Sequence, residues 1–180
     1  MKTIKKTEAE NGNIRDASVE LERAVKDAVQ EWNSKFLNLK LIELSSFSEN
    51  EDSDIEVQFV EGFAGMVAGA TMIRYDHNGL INKATIILPK AAFYVEHESE
   101  VFGVQYSSGK LKEIAVHEMG HALGLGHANF DRNLMAEMVN HGTATVSECE
   151  IKAVIEANYW KLGDDGNPDL SSTQFDSITC

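Results

Sequence analysis

The chain has 180 residues, 43% hydrophobic and 25% charged, which fits one globular domain with a sizeable core. Sixteen basic residues against 29 acidic ones give a formal net charge of −13, which argues against a general affinity for nucleic-acid phosphates or anionic membranes. No apolar run approaches the ~20 residues of a membrane-spanning helix, so neither nucleic acid nor membrane insertion is expected, and the chain reads as a monomer.

The start, Met1-Lys-Thr-Ile-Lys-Lys6, resembles a secretory n-region, but Thr7-Glu-Ala-Glu-Asn-Gly-Asn13 follows where the apolar h-region belongs. The expectation is a cytoplasmic chain as written, or a secreted one whose leader has been trimmed, with residues 1–14 flexible. From about Asp16 the pattern turns helical. Leu21, Val25, Ala28, Trp32 and Phe36 paint one apolar stripe, with Glu22, Lys26, Asp27 and Glu31 outside it. A first strand is expected near 39–45. Seven acidic residues and no basic one lie between Leu41 and Ile73, and those around Ser48 to Asp54 read as a solvated loop.

Ile55, Val57 and Phe59 alternate with Glu56, Gln58 and Val60, the mark of a second strand with one buried face. After a Gly-rich stretch, Thr71–Tyr75 and Leu80–Leu88 flank Asn78-Gly79, which predicts an antiparallel hairpin with a two-residue turn, ended by Pro89. Leu111–Leu123 reads as a second long helix and Ser147–Trp160 as a third, opened by the capping box Ser147-x-x-Glu150, with Ile151, Val154, Ile155 and Leu162 on its buried face. Residues 163–180 hold four Asp and no cation and read as an acidic flexible tail. Asp165, Asn167 and Asp169 alternate like calcium-loop ligands, but the turn Gly and distal Glu of an EF-hand are missing. Cys149 and Cys180 are too few for a disulfide scaffold. They are expected as unpaired thiols, with one bridge open to them in an oxidising compartment.

The chemistry lies in His117-Glu-Met-Gly-His121-Ala-Leu-Gly124-Leu-Gly-His127. Two histidines four apart share a helix face, so both rings can reach one ion. Leu111, Ala115, Met119 and Ala122 lie on the opposite face, which predicts a half-buried helix. On a straight helix His127 would lie about 9 Å further along the axis, too far for a zinc–nitrogen bond of ~2.0–2.1 Å. The chain must therefore reverse before it, and Gly124 stands where a left-handed residue is needed. Three neutral nitrogens leave a tetrahedral zinc one open position, the arrangement of a catalytic site. Glu118 is placed to accept a proton from water and pass it to a leaving amine.

With these residues the chain resembles the metzincin metallopeptidases, and among them the matrixins, in a minimal microbial or archaeal form. The match runs through His117, Glu118, His121, Gly124 and His127, and Met135 in Asn133-Leu-Met-Ala136 stands at the distance of the family's Met-turn. The resemblance implies an α/β zincin-like domain over residues 15–162: a small mixed twisted sheet with an antiparallel edge strand, an active-site helix, a Met-turn and a C-terminal helix. It implies zinc held by His117, His121 and His127, with Glu118 as catalytic base, Met135 as an apolar floor and a peptide or protein as substrate. Asn82–Leu88 looks like the edge strand against which the family holds an extended peptide. Three departures stand out. Ala128 replaces the usual Ser after the third His, Glu137 replaces the usual Pro after the Met-turn, and the hairpin is too tight for the family's structural zinc and calcium loop.

The remaining histidines, His77, His97 and His141, read as solvated. The function these residues point to is zinc-dependent endopeptidase. Two alternatives stay open: a catalytically silent zinc domain that binds peptides or proteins, and a metal-dependent hydrolase of nonpeptide amides. A latency contact from Cys180 to the zinc is a further alternative, since thiolate is a good zinc ligand.

Overall fold

The computed structural model describes residues 2–8, 15–36, 40–43, 53–64, 67–96, 100–137 and 145–158. The elements run β1 (Lys2–Glu8), α1 (Arg15–Asn33), β2 (Leu41–Glu43), β3 (Ile55–Ala64), β4 (Ala70–Tyr75), β5 (Ile81–Glu96), β6 (Glu100–Gln105), α2 (Ser108–Ala122) and α3 (Glu148–Ala157). Alternate residues in the first half of β3 (Ile55, Val57, Phe59) and in the first half of β5 (Ala84, Ile86, Leu88) are buried, so both strands turn one face inward there. That face meets α1 and α2, which lie together on one side of a twisted open sheet. The expected mixed α/β architecture is what the chain adopts.

The strand order is β2-β1-β3-β5-β4, with β6 also on β5. β1, β2, β3 and β5 run parallel, and β4 and β6 run antiparallel to β5. This topology corrects the expected substrate edge. Residues 82–88 lie between β3 and β4 and form an interior strand, which is why their apolar run is nearly continuous. The antiparallel edge is β4.

Four other expectations are corrected. Residues 2–8, expected to be flexible, form a strand paired on both sides, and its register sets Lys5 beside Glu56. A polar, lysine-rich segment gives no amphipathic signal, yet its backbone pairs with β2 on one side and β3 on the other. Pro89 does not end β5. It falls between Ile87, the last partner of β4, and Ala91, the first partner of β6, where that side of the strand requires no ladder donor. The hairpin turn has three residues rather than two. Asp76 and Leu80 are joined by a 2.8 Å backbone bond, only Gly79 takes a positive φ, and the Asp76 carboxylate accepts from the Asn78 and Leu80 N–H groups. Cys149 is disulfide-bonded, against the expectation of unpaired thiols.

The α1 stripe behaves as read: Leu21, Ala28 and Trp32 are buried, and Phe36 stacks on Trp32 at 5.9 Å. The Trp32 indole N–H donates to the Val116 carbonyl at 3.0 Å, tying α1 to α2. Helix α2 is more enclosed than the expected half-buried helix. It is buried without a break from Ile114 to Gly120, because α1 covers one side and β4 and β5 the other. Helix α3 begins with the expected capping box. Its C-cap, Asn158, ties α3 to the C-cap of α2, with Nδ2 donating to the Leu123 and Val154 carbonyls at 2.8 Å each. Among the described residues no helix is long and apolar enough to cross a membrane. Leu162, the Asp165 to Asp169 alternation, His97, His141 and Cys180 lie outside the described residues.

An interior β5 makes a direct prediction. Thr85→Pro deletes a ladder donor whichever neighbour it faces, so the variant should lose its cooperative unfolding transition. Denaturant titration followed by circular dichroism checks this, and a transition like that of the wild type would return residues 82–88 to an edge.

Candidate metal centre

The site begins with the end of α2. The Gly124 N–H donates to the His121 carbonyl at 2.9 Å and the Leu125 N–H to the Gly120 carbonyl at 3.0 Å. These two bonds make a Schellman motif around Gly124, which sits at φ 100. The helix therefore stops at Ala122, with Leu123 as its cap, and the chain folds back, as the approach of His127 requires. His117, His121 and His127 come together, each offering one ligand atom, and those atoms all lie within 4.8 Å of one another. His117 is buried, His121 half-buried and His127 exposed, so the cluster opens to solvent on the His127 side.

Two main-chain carbonyls fix the rings. His117 Nδ1 lies 2.7 Å from the Leu134 carbonyl and His121 Nδ1 lies 2.8 Å from the Leu125 carbonyl. A carbonyl oxygen only accepts, so each Nδ1 carries the proton and each Nε2 presents a lone pair. The two Nε2 atoms then face each other at 3.1 Å with no hydrogen between them. Opposed lone pairs repel unless a cation lies among them, so this donor set fits a metal ion, and three imidazoles suit zinc. Burial pushes the His117 ring down to about 4, against the Leu134 bond, which favours the charged form. The other two histidines, when charged, push it further down. Burial also lowers His121, against its bond to Leu125. Both shifts favour the neutral ring, the form that a metal ion would require.

The chain returns beneath the cluster through a loop closed by the Ala128 N–H to Met135 carbonyl bond at 2.7 Å. Asn133 is buried there, its Oδ1 accepting from the Met135 N–H at 2.8 Å. This turn aims the Leu134 carbonyl at His117 and buries Met135. Met135 packs against α2 at Gly120, where any Cβ would run into its sulfur and would come within 3.4 Å of the Trp32 ring.

Glu118 is buried, and burial raises its carboxyl to about 6 despite the opposing effects of the Thr71 hydrogen bond and of His127. The Thr71 hydroxyl lies 2.6 Å from Glu118 Oε2 and 3.1 Å from the Glu118 main-chain oxygen. Oε1 lies against Gly69, where a Cβ would come within 2.6 Å of it. The sequence reading missed Gly69, Thr71 and Gly120. Gly120 carried a signal, since a glycine inside a helix forgoes about 1 kcal/mol relative to alanine and so marks a close approach. Gly69 and Thr71 carried none, because only the fold lays β4 across α2. His77, expected to be solvated, is exposed within the hairpin turn.

A family model described as Matrixin matches residues 7–158. No curated protein matches the chain. The family match and the histidine cluster together support a zinc metallopeptidase in general terms. Gly124→Ala tests the reversal on which the cluster depends. An L-residue at this left-handed position should lose about 1–2 kcal/mol of stability. The new Cβ also meets Ala157 Cβ at 3.1 Å. Denaturant titration measures the loss, and chelator competition should show weaker zinc retention as His127 is displaced.

Proposed function

Since the chain belongs to the matrixin family, we propose that it is a zinc-dependent endopeptidase in which His117, His121 and His127 hold the metal and Glu118 is the catalytic base. The observation that carries this reading is the meeting of three imidazoles with a buried carboxylate one residue from the first of them. A zinc ion held there supplies Lewis acidity, acidifying water and polarising a peptide carbonyl. Glu118 takes the proton of the attacking water and delivers it to the departing amide nitrogen. A carboxyl raised to about 6 suits both halves of that task, since it is ionised at neutral pH yet easily protonated.

Substrate reaches this site along β4. Among the described residues only β5 pairs with that strand, so its outer N–H and C=O groups are free to take an extended peptide as one more strand. A free edge beside the catalytic carboxylate favours peptides over small nonpeptide amides. A buried carboxylate is costly to keep near pH 7, and a silent binding domain has no use for one.

Two experiments test the reading. With zinc loaded and an unstructured protein as substrate, Glu118→Ala should keep its metal and lose about 10²–10⁴-fold in turnover. His121→Ala should lose the metal itself. Normal turnover by Glu118→Ala would remove Glu118 from its role. The pH profile gives the second test. Glu118 must be ionised, and its pKa is raised, so activity is present above about 6 and is lost as pH falls through that value. Protonation of the histidines then releases metal at still lower pH. A rate that stays flat down to pH 4 would assign the chemistry to another group.

A further inference from the structure

The two oxygens of Glu118 stand in unlike surroundings. Oε2 has the Thr71 hydroxyl at 2.6 Å, a short contact of the kind made when a hydroxyl donates to a charged oxygen. Among the described residues Oε1 accepts no hydrogen bond, and it is not one of the fully buried side-chain atoms left without a partner. Gly69 leaves the space that Oε1 occupies, since a Cβ there would lie 2.6 Å from Oε1 and 2.8 Å from Ile114 Cγ2. Gly69 and Thr71 are two apart on an extended chain, so they face the same way, toward α2. One short stretch of the edge strand therefore restrains one carboxylate oxygen and makes room for the other.

We propose that Thr71 is a positioning residue for Glu118, tying down Oε2 so that Oε1 is the oxygen that exchanges protons with water and the leaving group. Gly69 is the second half of the same device. The inference rests on the peptidase reading above and adds to it the division of labour between the two oxygens. A free carboxylate would rotate about its last torsion, which has only broad and shallow preferences, and would present either oxygen. The tie to Thr71 selects one orientation. The Glu118 main-chain oxygen, 3.1 Å from the same hydroxyl, is a second acceptor that keeps Thr71 in place when Oε2 is not available. Because Thr71 belongs to β4, the strand with the free edge also sets the angle of the base.

The test compares Thr71→Val, which keeps the shape and removes the hydroxyl, with Thr71→Ser, which keeps the hydroxyl. The first readout needs no activity. In the metal-free protein at pH 8, an infrared difference against Glu118→Gln isolates the carboxylate band of Glu118. Thr71→Val should shift that band, and Thr71→Ser should leave it near its original position. The second readout is kinetic, on zinc-loaded protein of verified metal content. Thr71→Val should lower kcat by about 10–100-fold while KM moves by less than about twofold, since orientation acts on the transition state and not on peptide docking. Thr71→Ser should recover to within about threefold of the wild type. An unshifted band in Thr71→Val, or a kcat equal to the wild type, would overturn the proposal. A wild-type protein that loads zinc and cleaves nothing would instead sink the peptidase reading, and the infrared comparison would still decide the tie on its own.

Discussion

Two lone pairs aimed at each other organise this molecule. Nε2 of His117 and of His121 stand 3.1 Å apart because each ring has already committed its proton to a main-chain carbonyl. Everything nearby serves to keep that unfavourable pair in place. The Schellman motif at Gly124 presents the Leu125 carbonyl, and the turn at Asn133 presents the Leu134 carbonyl. Trp32 and Met135 both press on α2, with Gly120 as the point of closest approach.

Legibility from the sequence followed the range of the interactions. The zinc-helix residues could be read because their spacing is a local property of helix geometry, and Gly124 could be read because a third ligand demands a reversal. The capping box and the α1 stripe were legible for the same reason. Misreadings came where the partner was distant in sequence. Nothing in Lys2–Glu8 announces a strand, because its two neighbours are β2 and β3. The apolar run at 82–88 fits an edge or an interior equally well until β3 and β4 are seen on either side of it. The contact between Thr71 and Glu118 spans 47 residues, so no local pattern could suggest it.

The sheet explains why a buried carboxylate and an edge strand occur together. Helix α2 packs on β4 and β5, and the Ile114 to Gly120 run is covered on both flanks. Glu118 sits on the β4 flank, where burial raises its pKa and where, among the described residues, the strand beside it is paired on one side only. Desolvation of the carboxylate and access to the strand edge are thus two results of one packing arrangement. A helix placed one strand further into the sheet would have buried the carboxylate as well, but beneath an interior strand that no peptide could join.

The carbonyls of Leu125 and Leu134 carry a consequence for how such a site tolerates sequence drift. The groups that set the tautomer and angle of two ligands belong to the backbone, so no particular side chain at 125 or 134 is needed to supply them. Leucine serves there by filling space, and another apolar residue of similar volume would leave the acceptor unchanged. The supporting layer of the metal centre is therefore written in chain path and not in residue identity. Two relatives could share this layer atom for atom while their sequences, compared at those positions, showed nothing in common.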